Sequence, residues 1–123
     1  GNPLVLVRPA VTREGLREMQ REVDEVYIKD EVVEYIVALI EATRTDPSLE
    51  RGASPRATLS VAALAKAAAY VQGRDYATPK DVSSVFLRAV PHRLLLTPEA
   101  EARGISPRAV LDGIVRKTPA PRV

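Results

Sequence analysis

The stretch GASPRATLSVAALAKAAAYVQGRDYATPKD, residues 52–81, decides the fold. It contains two hydroxyl–proline pairs, Ser54-Pro55 and Thr78-Pro79, with Gly73 between them. A Ser or Thr side chain caps a helix by accepting a hydrogen bond from a free backbone N–H, and proline fits the first helical position because its missing N–H has no partner there. The stretch therefore predicts an alanine-rich helix over Ser54–Gln72, stopped by Gly73, and a second helix that starts at Thr78.

The same signals divide the rest of the chain into helices. Thr97-Pro98 and Ser106-Pro107 mark two more helix starts, and Asp81 lies three residues after Thr78, close to a capping box. Thr12 opens a further segment with helical apolar spacing, and another such segment covers Asp30–Thr43. We predict an all-α helical bundle of about five or six helices over residues 12–118. Residues 1–11 are predicted to be a linker or extended segment leading into this domain, and residues 119–123 a tail.

Apolar residues at helical spacing predict which side of each helix is buried. Only Pro3–Val7 alternates with the period of a strand, and Thr45–Ala53 is predicted to be a polar loop. The predicted core positions are Leu16, Met19 and Val23; Val32, Val33, Ile36, Val37, Leu39 and Ile40; Leu59, Leu64, Ala68 and Val71; Val82, Val85, Phe86, Ala89 and Val90; and Val110, Leu111, Ile114 and Val115.

Composition excludes several classes of protein. The 123 residues are 46% hydrophobic and 28% charged, which is typical of one folded domain rather than a disordered chain. There is no Cys and only one His, His92, so disulfides and a His-rich metal site are excluded. No apolar run approaches the roughly 18 residues of a membrane span, and the N-terminus lacks a signal pattern. A cytoplasmic protein is the prediction.

Charge is distributed unevenly along the chain. The formal net charge is only +2, but residues 1–50 hold 6 basic and 11 acidic side chains, whereas residues 51–123 hold 12 and 5. A basic second half suits contact with an anion or with a complementary neighbour. The same counts are also explained by a solvated surface on which acidic and basic side chains happen to be separated.

Catalytic motifs are absent from the sequence. No Gly is followed by Lys, so the chain has no phosphate-binding loop of the kind that hydrolyses nucleotides. His92, next to Arg93, has no acid beside it, and we predict a packed or hydrogen-bonded structural side chain. Aromatic residues are only 4% and basic residues are dispersed, which disfavours nucleic-acid binding. If the chain did bind nucleic acid, the best candidate for the binding element would be a helix-turn-helix over Thr78–Leu94.

Arg56 stands where a helix normally prefers an acid. It follows Ser54-Pro55 at the positive end of the helix dipole, next to free backbone N–H groups. A guanidinium there forms an anion site, and phosphate is the obvious anion. Ser106-Pro107-Arg108 repeats the pattern, so the motif alone does not distinguish Arg56 from Arg108.

Three motifs in order resemble a known family. Residues Gly52–Ala57, Gly73–Val82 and His92-Arg93-Leu94 closely resemble the C-terminal lid domain of MoxR-type AAA+ ATPases, and more distantly the lid of the magnesium-chelatase I subunit. Tyr35-Ile36-Val37 and Ala42-Thr43-Arg44 are similar to the first helix of that lid and its end. The resemblance covers roughly residues 9 to 121, nearly the whole chain.

The resemblance implies a non-catalytic lid that closes over ATP and Mg²⁺ held by an upstream α/β core domain of the same subunit. It implies that Arg56 is the sensor 2 residue, which contacts the γ-phosphate, and that Ser54 lies at the nucleotide. Tyr35 and Ile36 would form part of the adenine pocket wall, or else pack within the bundle.

The resemblance also implies that the longer parent is a chaperone-like ATPase. Such a parent forms a ring, expected to be hexameric, in which His92 and Arg93 meet a neighbouring subunit. Its partners would be client proteins or proteins with von Willebrand-type A domains. The alternative is a freestanding helical module that binds nucleic acid or protein.

Overall fold

The computed structural model describes residues 12–123, which form six α-helices and a small two-stranded sheet. The all-α prediction is confirmed. The predicted segment 1–11, with Pro3–Val7, lies outside the described residues, and residues 119–123 have neither helix nor strand. The helices are α1 Arg13–Asp24, α2 Asp30–Thr45, α3 Arg56–Val71, α4 Pro79–Ala89, α5 Pro98–Ala102 and α6 Pro107–Lys117; the strands are β1 Leu49–Arg51 and β2 Leu95–Leu96; and a 3-10 turn covers Pro91–Arg93.

Local capping explains where most of these helices begin. The hydroxyls of Thr12, Thr78, Thr97 and Ser106 each accept a hydrogen bond from the backbone N–H three residues later, as the sequence predicts. At Thr78 the capping box is complete, because the Asp81 carboxylate accepts the Thr78 N–H at 2.8 Å.

Glycine explains where two helices end. Gly73 and Gly104 have positive φ angles of 79° and 75°, a region that favours glycine, and each lies directly after the C-cap residue of its helix, α3 or α5. The Gly73 N–H donates to Tyr70 and the Arg74 N–H to Ala69, the pattern of a Schellman motif. The predicted stops are therefore confirmed.

The sheet corrects the prediction of a polar loop over Thr45–Ala53. Strand β1 lies within that stretch and pairs antiparallel with β2, Leu49 opposite Leu96 and Arg51 opposite Leu95. Strands of three and two residues are too short to show a period of two. The two strands are more than 40 residues apart in sequence, so no local sequence pattern predicts that they pair.

The hydrophobic core lies between α2, α3, α4 and α6, and most predicted positions on α2, α4 and α6 are buried. One predicted position on α2, Val37, is instead 43% exposed. The largest fully buried apolar side chains are Phe86, Ile36, Leu39, Ile40, Leu111, Val32, Val61, Val82 and Val90.

Helix α3 corrects the predicted core. Leu59, Leu64 and Val71 are 74%, 45% and 83% exposed, and the core side of the helix is a row of small residues instead. The buried residues of α3 are Ala57, Val61, Ala65 and Ala69. Their spacing of four places them on one side, where short side chains allow α2 and α4 to pack closely against the α3 backbone.

The predicted core positions of helix α1 are also wrong. Leu16 and Met19 are 54% and 47% exposed, and α1 has no buried residue. It is attached to α3 by polar contacts: the Tyr70 hydroxyl donates to the Glu22 carboxylate, and Lys66 Nζ donates to the Asp24 carbonyl at 3.3 Å. The apolar stripe of α1 therefore lies outside this core.

Candidate functional site

The loop before α3 is fixed by a threonine of α2. Thr43 lies in the last turn of that helix and is fully buried. Its hydroxyl donates to the Ile40 carbonyl at 2.6 Å and accepts the Ala53 N–H at 2.9 Å. Because each buried polar group thus has a partner, the loop is held at a defined position beside α2.

Gly52 allows this loop to touch the α2 backbone. A Cβ at position 52 would lie 2.3 Å from the Thr43 carbonyl oxygen and 2.7 Å from the Arg44 nitrogen, closer than any real side chain comes. The next residue, Ala53, is 1% exposed. The order Gly-Ala before Ser54 therefore has a steric cause.

Ser54 and Pro55 form a turn that differs from the other three hydroxyl–proline starts. Pro55 has helical angles and occupies the cap position, and no side chain caps α3. The predicted capping by Ser54 is therefore wrong: the Ser54 carbonyl, not its hydroxyl, accepts the Ala57 N–H, at 2.9 Å. The Thr58 N–H likewise donates to the Pro55 carbonyl, at 3.1 Å, so backbone carbonyls rather than a side-chain oxygen accept from the first turn of α3.

Arg56 occupies the first position of α3 and is exposed. Its side chain forms no hydrogen bond or ion pair with residues 12–123, and the first turn of α3 contains no acid. Positive potential accumulates at this end of α3, because the guanidinium adds to the positive end of the helix dipole and no acid or side-chain cap offsets it. This end of α3 can bind an anion such as a phosphate group.

The second Ser-Pro-Arg sequence is built differently. Ser106 caps α6 by accepting the Ala109 N–H at 3.1 Å, and Arg108 Nε lies 3.9 Å from the Asp112 carboxylate. Both features that create an anion site at Arg56 are therefore absent at Arg108. The structure separates two arginines that the motif alone left equivalent.

Tyr35 and Ile36 lie in the core, 5% and 0% exposed. Burial raises the pKa of the Tyr35 hydroxyl. Packing within the bundle, one of the two predicted roles, is what the structure shows for this pair. Of the four residues predicted to lie at the nucleotide, only Ser54 and Arg56 are exposed side by side.

His92 and Arg93 are exposed in the 3-10 turn between α4 and β2, which Pro91 opens. The prediction of a packed His92 is wrong, since the turn carries its side chain to the surface. The helix-turn-helix interpretation of Thr78–Leu94 is also wrong, because the stretch contains one α-helix, α4, followed only by this turn. A contact of His92 and Arg93 with a neighbouring subunit stays a prediction.

One ion pair was not singled out from the sequence. Arg74, just after α3, donates twice to the Asp81 carboxylate of α4, at 2.7 and 2.8 Å, and also to the Tyr76 carbonyl. Burial alone would raise the pKa of Asp81, but hydrogen bonds from Arg74 and Thr78 outweigh it and hold that pKa below its ordinary value. The pair fixes the turn between α3 and α4. A basic residue seven positions before a capping-box acid is the signal that could have indicated it.

Residues 12–123 contain no group of three His, Cys, Asp or Glu side chains placed to hold a metal ion. No helix among them is long and apolar enough to cross a membrane.

Comparison with known proteins decides the family. Residues 41–114 match the family model of the AAA lid domain. The chain belongs to this family. The match covers α3 with Arg56, the Arg74–Asp81 pair and the 3-10 turn.

Individual relatives extend the match beyond the AAA lid model. Uncharacterized protein YeaC of Bacillus subtilis is 34% identical over 120 residues, 98% of this chain and 38% of that protein. Chaperone MoxR1 of Mycobacterium tuberculosis is 37% identical over 106 residues, 79% of this chain and 28% of the relative. The crystal structure of a candidate ATPase from Cytophaga hutchinsonii has a TM-score of 0.86 at 33% identity and covers 91% of this chain.

The resemblance to MoxR-type lids is confirmed, because relatives that bear this name align with the chain. The lid spans less than two fifths of each of these proteins: 38% of YeaC, 28% of MoxR1 and 37% of the solved ATPase.

Proposed function

We propose that this lid closes over ATP bound by an α/β core domain of the same protein, and that Arg56 is the sensor 2 residue that contacts the γ-phosphate. The observation that carries the proposal is the exposed guanidinium of Arg56, which has no ion pair among residues 12–123 and lies at the start of α3, where no side chain caps the helix. Membership of the AAA lid family supports it, since a lid has an ATP-binding domain to cover.

The side chains at this end of α3 fit a triphosphate. Guanidinium presents N–H donors in a planar fork that matches two phosphate oxygens, and the positive end of the α3 dipole favours the same anion. Ser54 adds a hydroxyl that the helix does not use. Mg²⁺, when bound, neutralises phosphate charge; the core domain and the nucleotide would hold it, because residues 12–123 contain no cluster of metal ligands.

Nucleotide state would then control the position of the lid. ATP offers Arg56 a γ-phosphate and ADP does not, so Arg56 binds the two nucleotides with different affinity. A ligand shifts a conformational equilibrium only by such a difference. Hydrolysis would therefore release the lid.

The longer protein would be a chaperone-like ATPase located in the cytoplasm. Its ring, expected to be hexameric, would join subunits through His92 and Arg93 and act on client proteins or von Willebrand-type A domain proteins. The relative named Chaperone MoxR1 supports this choice. The lid by itself is expected to release phosphate only at background rate, because its sequence contains no phosphate-binding loop.

The test is Arg56→Ala in the longer protein, with Arg108→Ala as the matched control. We expect Arg56→Ala to lower ATPase turnover by about 100- to 1,000-fold, in line with the loss of a donor to charge that develops in the transition state. Arg108→Ala should keep wild-type turnover, because Arg108 faces Asp112 on α6. Wild-type turnover in Arg56→Ala, or an equal loss in both variants, would contradict the assignment.

A further inference from the structure

Two exposed tyrosines lie side by side where the α1–α2 connection meets the turn after α3. Tyr27 pairs with Tyr76 in a short parallel bridge, closed by backbone hydrogen bonds of Tyr27 to Asp75 and Ala77. Side chains of paired residues lie on the same face of neighbouring extended segments, so the two rings are neighbours. They are 60% and 49% exposed. A chain with only four Tyr and one Phe therefore places two aromatic rings at one point of its surface.

The two rings form walls of a cavity of about 280 Å³, which we call the Tyr27–Tyr76 cavity. Val32 and Ala77, which are 1% and 5% exposed, give it an apolar floor, and Lys29 adds one cation to its lining. The Tyr76 ring also faces Arg74, whose guanidinium carbon lies 5.6 Å from the ring centroid. Aromatic walls over an apolar floor suit an apolar ligand.

The tail, residues 119–123, runs from the end of α6 to this cavity. Its sequence is Pro-Ala-Pro-Arg-Val, and Val123 lines the cavity together with the two tyrosines. Proline fixes its own φ and keeps the residue before it extended. Thr118, which precedes Pro119, accordingly has φ −101° and ψ 110°. Because such a segment is already extended when free, it loses little conformational entropy on docking.

We infer that the Tyr27–Tyr76 cavity is a binding site for an extended, proline-containing apolar segment, and that the tail of the same chain occupies it. Aromatic-lined grooves bind proline-rich segments in this way. The attachment is apolar, because no hydrogen bond or ion pair joins residues 119–123 to the rest of residues 12–123. The tail thereby straps α6 to the α1–α2 connection. The space left beside Val123 admits a larger apolar side chain at that position.

This site is remote from the proposed nucleotide contact. Arg56 is the first residue of α3 and Tyr76 follows the end of the same helix, whose 16 residues span about 24 Å. The docking of the tail therefore does not depend on the sensor 2 assignment, and each proposal can fail without the other.

A single tryptophan can report the docked tail, because the chain contains no Trp. Val123→Trp places an indole at the cavity, and Ala120→Trp places one at an exposed position of the same tail. Val123 is 55% exposed, so we expect acrylamide to quench the fluorescence of Val123→Trp about twofold more slowly than that of Ala120→Trp if the docked tail is the major state. Adding Tyr27→Ala to Val123→Trp should remove the difference. The control, Val71→Ala at an 83% exposed position of α3, should leave it unchanged.

The inference also requires the prolines. Adding Pro119→Gly and Pro121→Gly to Val123→Trp should raise the quenching rate to that of Ala120→Trp, because glycine gives the undocked tail more conformations to lose. Unchanged protection would contradict a site for a proline-containing segment.

Equal quenching of Val123→Trp and Ala120→Trp would overturn the docking, and so would protection that survives Tyr27→Ala. Protection that disappears on dilution would also overturn it, because the cavity would then hold the tail of a second copy. Urea unfolding checks that Tyr27→Ala leaves the bundle folded, as expected for a side chain that is 60% exposed.

Discussion

Gly52 has no side chain, and the α2 backbone fills the space that a side chain would need. The Thr43 carbonyl oxygen lies 2.3 Å from the place of a Cβ. Gly113, in α6, has nothing within 4 Å of the same point. Position 52 therefore has no room for a side chain, whereas position 113 does, and only Gly52 positions the start of α3.

Gly52→Ala should destabilise the chain, because the loop must move away from α2 and strain the Thr43–Ala53 hydrogen bond. We expect a loss of about 1–3 kcal/mol in the free energy of unfolding, as for other overpacked sites. Gly113→Ala should instead gain up to about 1 kcal/mol, because alanine is the better helix former. Urea unfolding of both variants measures the difference, and shifts in the same direction would contradict the steric account.

The sequence identifies Arg56 as a candidate site residue, but it does not show that the Arg56 guanidinium is left without an ion pair among residues 12–123. Both Ser-Pro-Arg motifs are visible in the chain, and only the structure shows which of the two arginines forms no ion pair in the part of the chain that it describes. A signal was nevertheless available: Asp112 follows Arg108 by four residues, a spacing that pairs charges on a helix, whereas Ser60 follows Arg56. The burial of Tyr35 beside Ile36 had no such signal, because an aromatic residue on a helix suits a core or a pocket wall equally.

At the scale of elements, local chemistry predicts where a helix begins and ends better than it predicts which side of the helix is buried. Thr78, Thr97 and Ser106 act on N–H groups three residues away, so the starts of α4, α5 and α6 follow from short sequences. The buried side of α3 does not follow, because both of its sides are apolar and periodicity gives no contrast. The small residues of α3 pack in the core, whereas Leu59 and Leu64 face outward.

Ser106→Ala and Ser54→Ala should differ for this reason. Removal of the Ser106 hydroxyl leaves the Ala109 N–H without its cap and should cost about 1 kcal/mol. Ser54→Ala should leave the free energy of unfolding nearly unchanged, since its hydroxyl does not cap α3. Thermal or urea unfolding of the pair provides the measurement. An equal loss in both variants would mean that Ser54 caps α3 after all.

The Arg74–Asp81 pair joins α3 to α4 and should make stability depend on pH. The folded-state pKa of Asp81 lies below its ordinary value of 3.8, so the unfolded chain binds this proton more readily. The stabilisation is therefore complete above that value and is lost as pH falls through the folded-state pKa. Arg74→Ala should lower stability at about pH 6 and reduce the further loss between about pH 6 and about pH 3.

Urea unfolding at both pH values checks this prediction, with Arg108→Ala as the control. The Arg108–Asp112 contact is exposed and 3.9 Å long, so its removal should change little at either pH. An Arg74→Ala variant that keeps the full acid-dependent loss would show that Asp81 is not the group responsible.

At the scale of the whole molecule, backbone hydrogen bonds tie the connections between helices to one another beside the core of α2, α3, α4 and α6. The Tyr27 N–H donates to the Asp75 carbonyl at 2.8 Å, and the Ala77 N–H donates to the Tyr27 carbonyl at 2.9 Å, which ties the α1–α2 connection to the turn after α3. The uneven charge of the sequence has only a partial explanation: Arg56 has a proposed anion and Arg93 a proposed neighbouring subunit, whereas the exposed Arg103 forms no ion pair with residues 12–123.

Nucleotide preference tests the central claim most directly. The dissociation constants of a non-hydrolysable ATP analogue and of ADP would be measured for the longer protein and for its Arg56→Ala variant. We predict that Arg56→Ala weakens binding of the analogue by about tenfold or more, the loss of one charged hydrogen-bonded contact, and leaves ADP binding unchanged. An unchanged ratio of the two constants in Arg56→Ala would contradict a γ-phosphate contact by this lid.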